Sequence, residues 1–242
     1  MVTQKNIHSL QETINTSVSV VIPILNQADY TNSILGDIAK NSVIPNQIII
    51  INNGSTDNSK EVIDRFKGQL SIRLINLRKN IGVNASWNLG LKLSSSTYVS
   101  VLNNDIVINK QFFEIICKTF EANPNCGMLC PRTYHPLEYI EKVRKETFSG
   151  ASKTSNVKWR NGWAFTVRQE LIKDTLIPKE LFNYCGDDFQ YFKVKKLGYD
   201  ILMMEQNVVF HYRGITGSTM KFNSIMHKDR ECWEMLKQKL GL

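Results

Sequence analysis

The chain has 242 residues, 42% of them apolar and 10% aromatic, which suffices for the core of one large or two small domains and excludes a disordered chain. Its 30 lysines and arginines against 22 acidic residues leave a net charge of +8, which favours polyanionic partners: nucleic acid, an anionic membrane surface or phosphorylated ligands. Five cysteines, at 117, 126, 130, 185 and 232, include no CxxC pair; they indicate neither a zinc knuckle nor a disulfide framework and predict reduced, mostly buried thiols.

Residues 1–17 are a polar extension without the basic start and apolar centre of a signal peptide, and no apolar run reaches bilayer-spanning length. The expectation is a soluble, cytoplasmic chain. Residues 18–25 form a near-continuous apolar, β-branched strand, and Asp29 is placed to cap a helix whose Ile34, Leu35 and Ile38 share a face. A second strand follows at 47–51, Gly54 makes a turn, and Asp57 is placed to cap a helix with Val62, Ile63 and Phe66 as its buried stripe. Strands at 71–77 and 97–102 and helices at 85–93 and 111–120 continue the alternation. Strands apolar on both faces and separated by helices predict an α/β chain with a parallel sheet covered on both sides.

In such sheets the ligand lies beyond the carboxyl ends of the strands. Here those ends carry Asn26, the run Asn52 to Asp57, and Asn103 to Asp105, so three clusters of small polar side chains converge on one site. There is no GxxxxGK[ST] loop and no GxGxxG after the first strand, which weighs against an ATPase or a dinucleotide oxidoreductase. Asparagines suit hydrogen bonds to a base and ribose, and an aspartate can hold a hard divalent cation that bridges phosphates. The inventory fits a nucleoside diphosphate with a metal. Each cluster taken singly also reads as a helix cap or Asx turn.

The ordered set "VVIPILNQ", "IIINNGSTDNS", "RKNIGVNASWNLGL" and "YVSVLNNDIVI" resembles the nucleotide-binding half of family 2 glycosyltransferases, inverting enzymes, over about Val18 to His211. The resemblance implies the GT-A fold: a Rossmann-like, mostly parallel central sheet flanked by helices, with a smaller acceptor-side region. It divides the chain into an N-terminal extension (1–17), a nucleotide-sugar-binding half (18–108), an acceptor and catalytic half of the same domain (109–215) and a C-terminal helical segment (216–242). It also implies that Pro23 and Asn26 border the nucleotide, Asn53 faces the pyrimidine, and Asn80, Gly82 and Asn88 lie beside base and sugar. Asn103 and Asn104 then fall on the donor side, and Asp105, matching the last residue of the family's D-x-D motif, would hold Mn2+ or Mg2+ against the diphosphate. Two departures stand out: Asn52-Asn53-Gly54-Ser55 where Asp-Asp-Gly-Ser is common, and Asn103-Asn104-Asp105 where Asp-x-Asp is. Each Asn keeps a carbonyl acceptor and removes a negative charge, which predicts weaker metal binding than in members with two aspartates.

In the second half, "FNYCGDDFQYFKVKKLGYDI" reads as a turn and then a helix, with Tyr191, Val194 and Leu197 at helical spacing and Gly198 as its stop. It resembles the family's acidic segment, whose catalytic base precedes the closing glycine by eleven residues. Counting back from Gly198 gives Asp187, with Asp188 an adjacent rival; a pair of helix-capping aspartates is the plainer reading. Inverting transfer needs such a carboxylate, because the acceptor hydroxyl must lose its proton as it attacks the anomeric carbon in line with the leaving diphosphate. In "NVVFHYRGITGST" the resemblance assigns His211 to the metal or diphosphate, and Arg213 could add a charge. In "RNGWAFTVRQELI" it lets Gly162 admit the donor closely, while Trp163 either stacks on a sugar ring or packs in the core. Residues 134–158 are polar and poorly periodic, predicting a mobile loop or irregular strands over the acceptor side. From Asn223 onward one helix carries Ile225, Met226, Trp233, Leu236 and Leu240 along a stripe. That stripe would dock on the core, pair with a second copy as a homodimer, or touch a membrane surface peripherally.

The reading that unites these features is an inverting glycosyltransferase using a UDP-, dTDP- or GDP-sugar and a glycan, lipid-linked or nucleic-acid acceptor. Its alternatives are a protein that binds DNA or anionic lipid and a catalytically silent nucleotide-binding relative. A sugar nucleotidyltransferase should open with a glycine-rich, Arg-containing phosphate loop after the first strand, and "PILNQADY" is not one.

Overall fold

The computed structural model describes residues 17–134, 137–157, 162–212 and 222–241. The first half runs β1 (Val18–Ile24), α1 (Ala28–Ala39), β2 (Gln47–Asn52), α2 (Ser59–Asp64), β3 (Ile72–Asn76), α3 (Val83–Leu93), β4 (Tyr98–Leu102) and β5 (Ile106–Ile108). After it come α4 (Phe112–Ala122), β6 (Cys126–Cys130), β7 (Thr133–Tyr134), α5 (Ile140–Lys145), β8 (Thr154–Asn156) and β9 (Ala164–Arg168). The chain closes with α6 (Ile172–Thr175), α7 (Gly186–Lys196), β10 (Asp200–Met204), β11 (Val209–His211) and α8 (Phe222–Leu240).

Every residue of β1 is buried, and the twofold alternation of a strand sends neighbours into two different cores. Val18, Val20, Ile22 and Ile24 join Ile34, Leu35 and Ile38 of α1 and Phe112, Phe113 and Phe120 of α4 on one side of the sheet. Val21 joins Trp87 and Leu91 of α3, Phe189 and Val194 of α7, and Trp233 of α8 on the other. The sheet has eight strands in the order β3-β2-β1-β4-β9-β6-β10-β8. β3, β2, β1 and β4 are parallel, so their carboxyl ends share one edge.

The sheet is not parallel throughout. β9 lies antiparallel between β4 and β6, and β8 closes the far edge antiparallel to β10. Because Ala164, Phe165 and Val167 are buried as fully as any parallel strand, hydrophobic pattern alone could not report that direction. The consequence for the site is direct: Ala164 pairs with Leu102, so the residues just before β9 sit at the carboxyl edge of β4. A second sheet, β5-β11-β7, stands over that edge and pairs His211 with Ile106.

Two local expectations are corrected, and a third, the docking of the C-terminal helix on the core, is met. Asp29 lies inside the first turn of α1 and does not cap it; Gln27 is the residue before the helix, and Asp57 Oδ2 accepts the Ala28 N–H at 3.0 Å from the neighbouring loop. Asp57 reaches its own helix as well, its Oδ1 accepting the Ser59 N–H at 3.1 Å. Within 134–158 the chain forms α5 rather than only loop, because Val143 packs with Val107 and Phe210 while Arg144 bonds Asp37 at 2.9 Å and Ser33 at 3.0 Å on α1. α8 docks on the second core through Trp233, with Leu236 and Leu240 beside it.

Candidate functional site

At the carboxyl edge of β1 the chain turns through Asn26 and Gln27, both in the left-handed region at φ 58° and 66°. Asparagine tolerates that conformation better than most residues. The turn aims Asn26 at the loop after β2: its Oδ1 accepts the Thr56 N–H at 2.8 Å, and its own N–H donates to Ser55 Oγ at 2.8 Å. Asn52 holds the same loop by accepting the Ser55 N–H at 2.9 Å and donating to Asn76 Oδ1 at 3.0 Å.

Asn53 is buried and clamps the loop before α3. Its amide donates to Asn80 Oδ1 at 2.8 Å and its Oδ1 accepts the Ile81 N–H at 2.8 Å. Asn80 Oδ1 in turn accepts the Gly82 N–H at 2.8 Å. Gly82 has φ +87° and ψ 157°, a region essentially restricted to glycine, and its Cα lies against the Phe182 carbonyl, where a Cβ would collide. Asn88 is committed elsewhere: it bonds both the N–H and the C=O of Ile177, at 2.9 and 2.7 Å. Pro23 is buried within β1. The sequence-predicted asparagines therefore divide into those that shape the edge and one, Asn88, that ties α3 to the segment after α6.

The catalytic candidates meet on the other side of the same edge. The Asp187 carboxylate packs on Gly162, with Oδ2 3.1 Å from the point where a Cβ would stand. Next to Gly162, the Trp163 indole stacks on the His211 imidazole, centroids 5.1 Å apart and planes 21° apart. His211 Nε2 lies 3.5 Å from Asp105 Oδ1. The Trp163 carbonyl accepts the Asn103 N–H at 2.9 Å, and Asn104 donates to Thr31 Oγ1 at 3.1 Å. Thus Asp187, Gly162, Trp163, His211 and Asp105 form one contiguous run, contributed by α7, the residues just before β9, the end of β11 and the loop between β4 and β5. Asp188 shares the first turn of α7 with Asp187. Arg213 lies outside the described residues.

Asp105 is 4% exposed, and its Oδ1 has no hydrogen-bond partner. A buried carboxylate oxygen left without a donor is costly, and here an imidazole nitrogen faces it. That pair fits two ligands of a divalent cation. Among the described residues no group of three or more His, Cys, Asp or Glu is arranged to hold a metal, so among them Asp105 and His211 stand as a pair. No helix among the described residues is long and apolar enough to cross a membrane.

The family model of glycosyl transferase family 2 matches residues 19–193. Poly-beta-1,6-N-acetyl-D-glucosamine synthase of Staphylococcus epidermidis is 24% identical over 227 residues, which cover 93% of this chain and 51% of that protein. This chain thus spans about half the length of that relative. Among solved structures, residues 1–349 of S. aureus TarS in complex with UDP-GlcNAc superpose with a TM-score of 0.67 at 17% identity, over 87% of this chain and 64% of that one. The mannosyltransferase PcManGT of Pyrobaculum calidifontis, in complex with GDP-Man and Mn2+, superposes with a TM-score of 0.62 at 16% identity, over 84% of this chain and 59% of that one. At these identities the structural likeness shows the fold, which is GT-A.

Proposed function

Since the chain belongs to glycosyl transferase family 2 and has the GT-A fold, we propose that it moves a sugar from a UDP-, dTDP- or GDP-sugar to an acceptor hydroxyl by inverting displacement, with Asp187 as the base. The observation that carries the reading is the run from Asp187 to Asp105, which joins a carboxylate for the acceptor to a buried carboxylate with an unpartnered Oδ1 for the leaving group along one edge of the sheet.

In this reading the loops held by Asn26, Asn53 and Asn80 bind the nucleotide, and the absence of a side chain at Gly82 lets the loop before α3 close against the Phe182 carbonyl. Asp187 takes the proton of the attacking hydroxyl, which must approach within hydrogen-bond reach of its carboxylate. Asp188 is the neighbouring alternative. Trp163 keeps His211 facing Asp105 and offers apolar surface to a sugar ring. Asp105 and His211 would hold Mn2+ or Mg2+, which when bound supplies positive charge against the departing diphosphate. The acceptor class is a glycan, a lipid-linked sugar or a nucleic acid, the last two being compatible with the net charge of +8.

The test combines melting temperature and turnover across a panel of sugar nucleotides with and without Mn2+. Expected is a rise for one nucleotide class that needs Mn2+ and disappears in Asp105→Ala. With that donor, Asp187→Asn should lower kcat by about 10²- to 10⁴-fold, the usual contribution of a general base, and Asp188→Asn far less. The reverse order makes Asp188 the base. Donor binding without turnover supports a silent relative, and a shift only with DNA or anionic lipid supports a polyanion-binding protein.

A further inference from the structure

Asp229 stands on α8, within the stretch that docks against the second core, yet it is a carboxylate at 1% exposure. It accepts three consecutive backbone N–H groups from the segment before α7: Phe182 on Oδ1 at 3.0 Å, and Asn183 and Tyr184 on Oδ2 at 2.7 and 2.8 Å. Three successive amides turned toward one point form an anion-binding concavity, and bonds to an ionised acceptor are the stronger kind. The buried carboxylate is thereby met by three backbone donors of the loop.

That loop touches both halves of the site. On one side it grips the start of α3: the Asn183 Oδ1 accepts the Val83 N–H at 3.0 Å, the Phe182 carbonyl accepts the Asn84 N–H at 3.2 Å, and the Asn84 amide donates to the carbonyls of Leu181 and Tyr184, both at 3.2 Å. Its Phe182 carbonyl is also what lies over Gly82. On the other side it leads through Cys185, left-handed at φ 59°, into Gly186 and Asp187.

We infer that Asp229 is a positioning residue: through the 182–184 amides it fixes where the first turn of α7 presents Asp187 relative to the loop before α3, so that the C-terminal helix is part of the catalytic apparatus without touching substrate. The inference rests on the assignment of the base to that turn.

Wild type, Asp229→Asn, Asp229→Ala and Leu236→Ala are compared, the last loosening the same helix without removing the carboxylate. In Asp229→Ala the amides of 182–184 should lose their slow hydrogen exchange, and kcat at saturating sugar nucleotide should fall roughly 10- to 100-fold, the scale of a misplaced catalytic group. Asp229→Asn, which keeps one acceptor oxygen, should fall between it and wild type, with most of the loss in kcat rather than in KM. Leu236→Ala should melt earlier and keep its kcat. Unchanged exchange or unchanged kcat in Asp229→Ala overturns the inference, as does an equal loss of kcat in Leu236→Ala. Wild-type turnover in Asp187→Asn instead removes the base assignment, while the exchange comparison still reads what Asp229 does to the loop.

Discussion

Asparagine is the residue in which this site is written, and its uses are easy to confuse in a sequence. Asn26 and Asn53 sit where the clustered strand ends pointed, and their side chains bond the neighbouring loops, Asn26 through the Thr56 N–H and Asn53 through the Ile81 N–H and the Asn80 side chain. Asn88 bonds Ile177, a partner 89 residues away that no local pattern could reveal. Asp229 was hidden for a related reason: it stands four residues before Trp233, inside the stripe that the helix buries, and an acidic residue on such a stripe passes for a solvated one unless its exposure is known. The glycine signals were more legible. At Gly82 an added methyl meets both a glycine-only backbone conformation and the Phe182 carbonyl. Gly82→Ala should therefore lose about 1–3 kcal/mol from backbone strain alone and also weaken sugar-nucleotide binding, read as a lower melting temperature with a smaller rise on adding donor.

At the scale of elements, the strands that could be read were β1, β2, β3 and β4, and in β1, β2 and β4 the apolar run ends in a polar cluster. β9 carries the same kind of apolar run, but its direction and its place between β4 and β6 depend on a connection through the second half of the chain. α5 is short, and only Val143 of it is buried; its position comes from the bonds of Arg144 to α1. α8 was predicted as a helix with three possible partners, and the core is the one it takes. Trp233 is 8% exposed and meets Phe189 edge to face at 6.3 Å. Trp233→Ala should cost about 3–5 kcal/mol, as for a buried aromatic, visible as a lower urea midpoint. A change below experimental error would mean that α8 is held by other means.

For the whole molecule, alkaline conditions are the informative stress. Burial pushes the thiols of Cys126 and Cys130 up to about 12 from the ordinary 9.0, and burial also raises the Tyr98 phenol. The unfolded chain then releases these protons at lower pH than the native one, so their stabilising contribution is whole below about pH 9 and is lost as the pH rises toward about 12. The urea midpoint should fall steeply over that window, and a Cys126→Ala, Cys130→Ala double variant should show a shallower fall even if it is less stable at neutral pH.

The central place of β9 also sets a clock on biosynthesis. Ser100 of β4 and Thr166 of β9, partners across the ladder, are 66 residues apart in sequence. At roughly 5–20 residues per second, a ribosome leaves the β9-facing edge of β4 bare for on the order of 3 to 13 s, with an apolar parallel sheet already gathering behind it. An exposed edge of that kind recruits other nascent chains. The insertion that brings Gly162 and Trp163 to the site therefore makes translation speed and chaperone cover between residues 102 and 168 a determinant of yield.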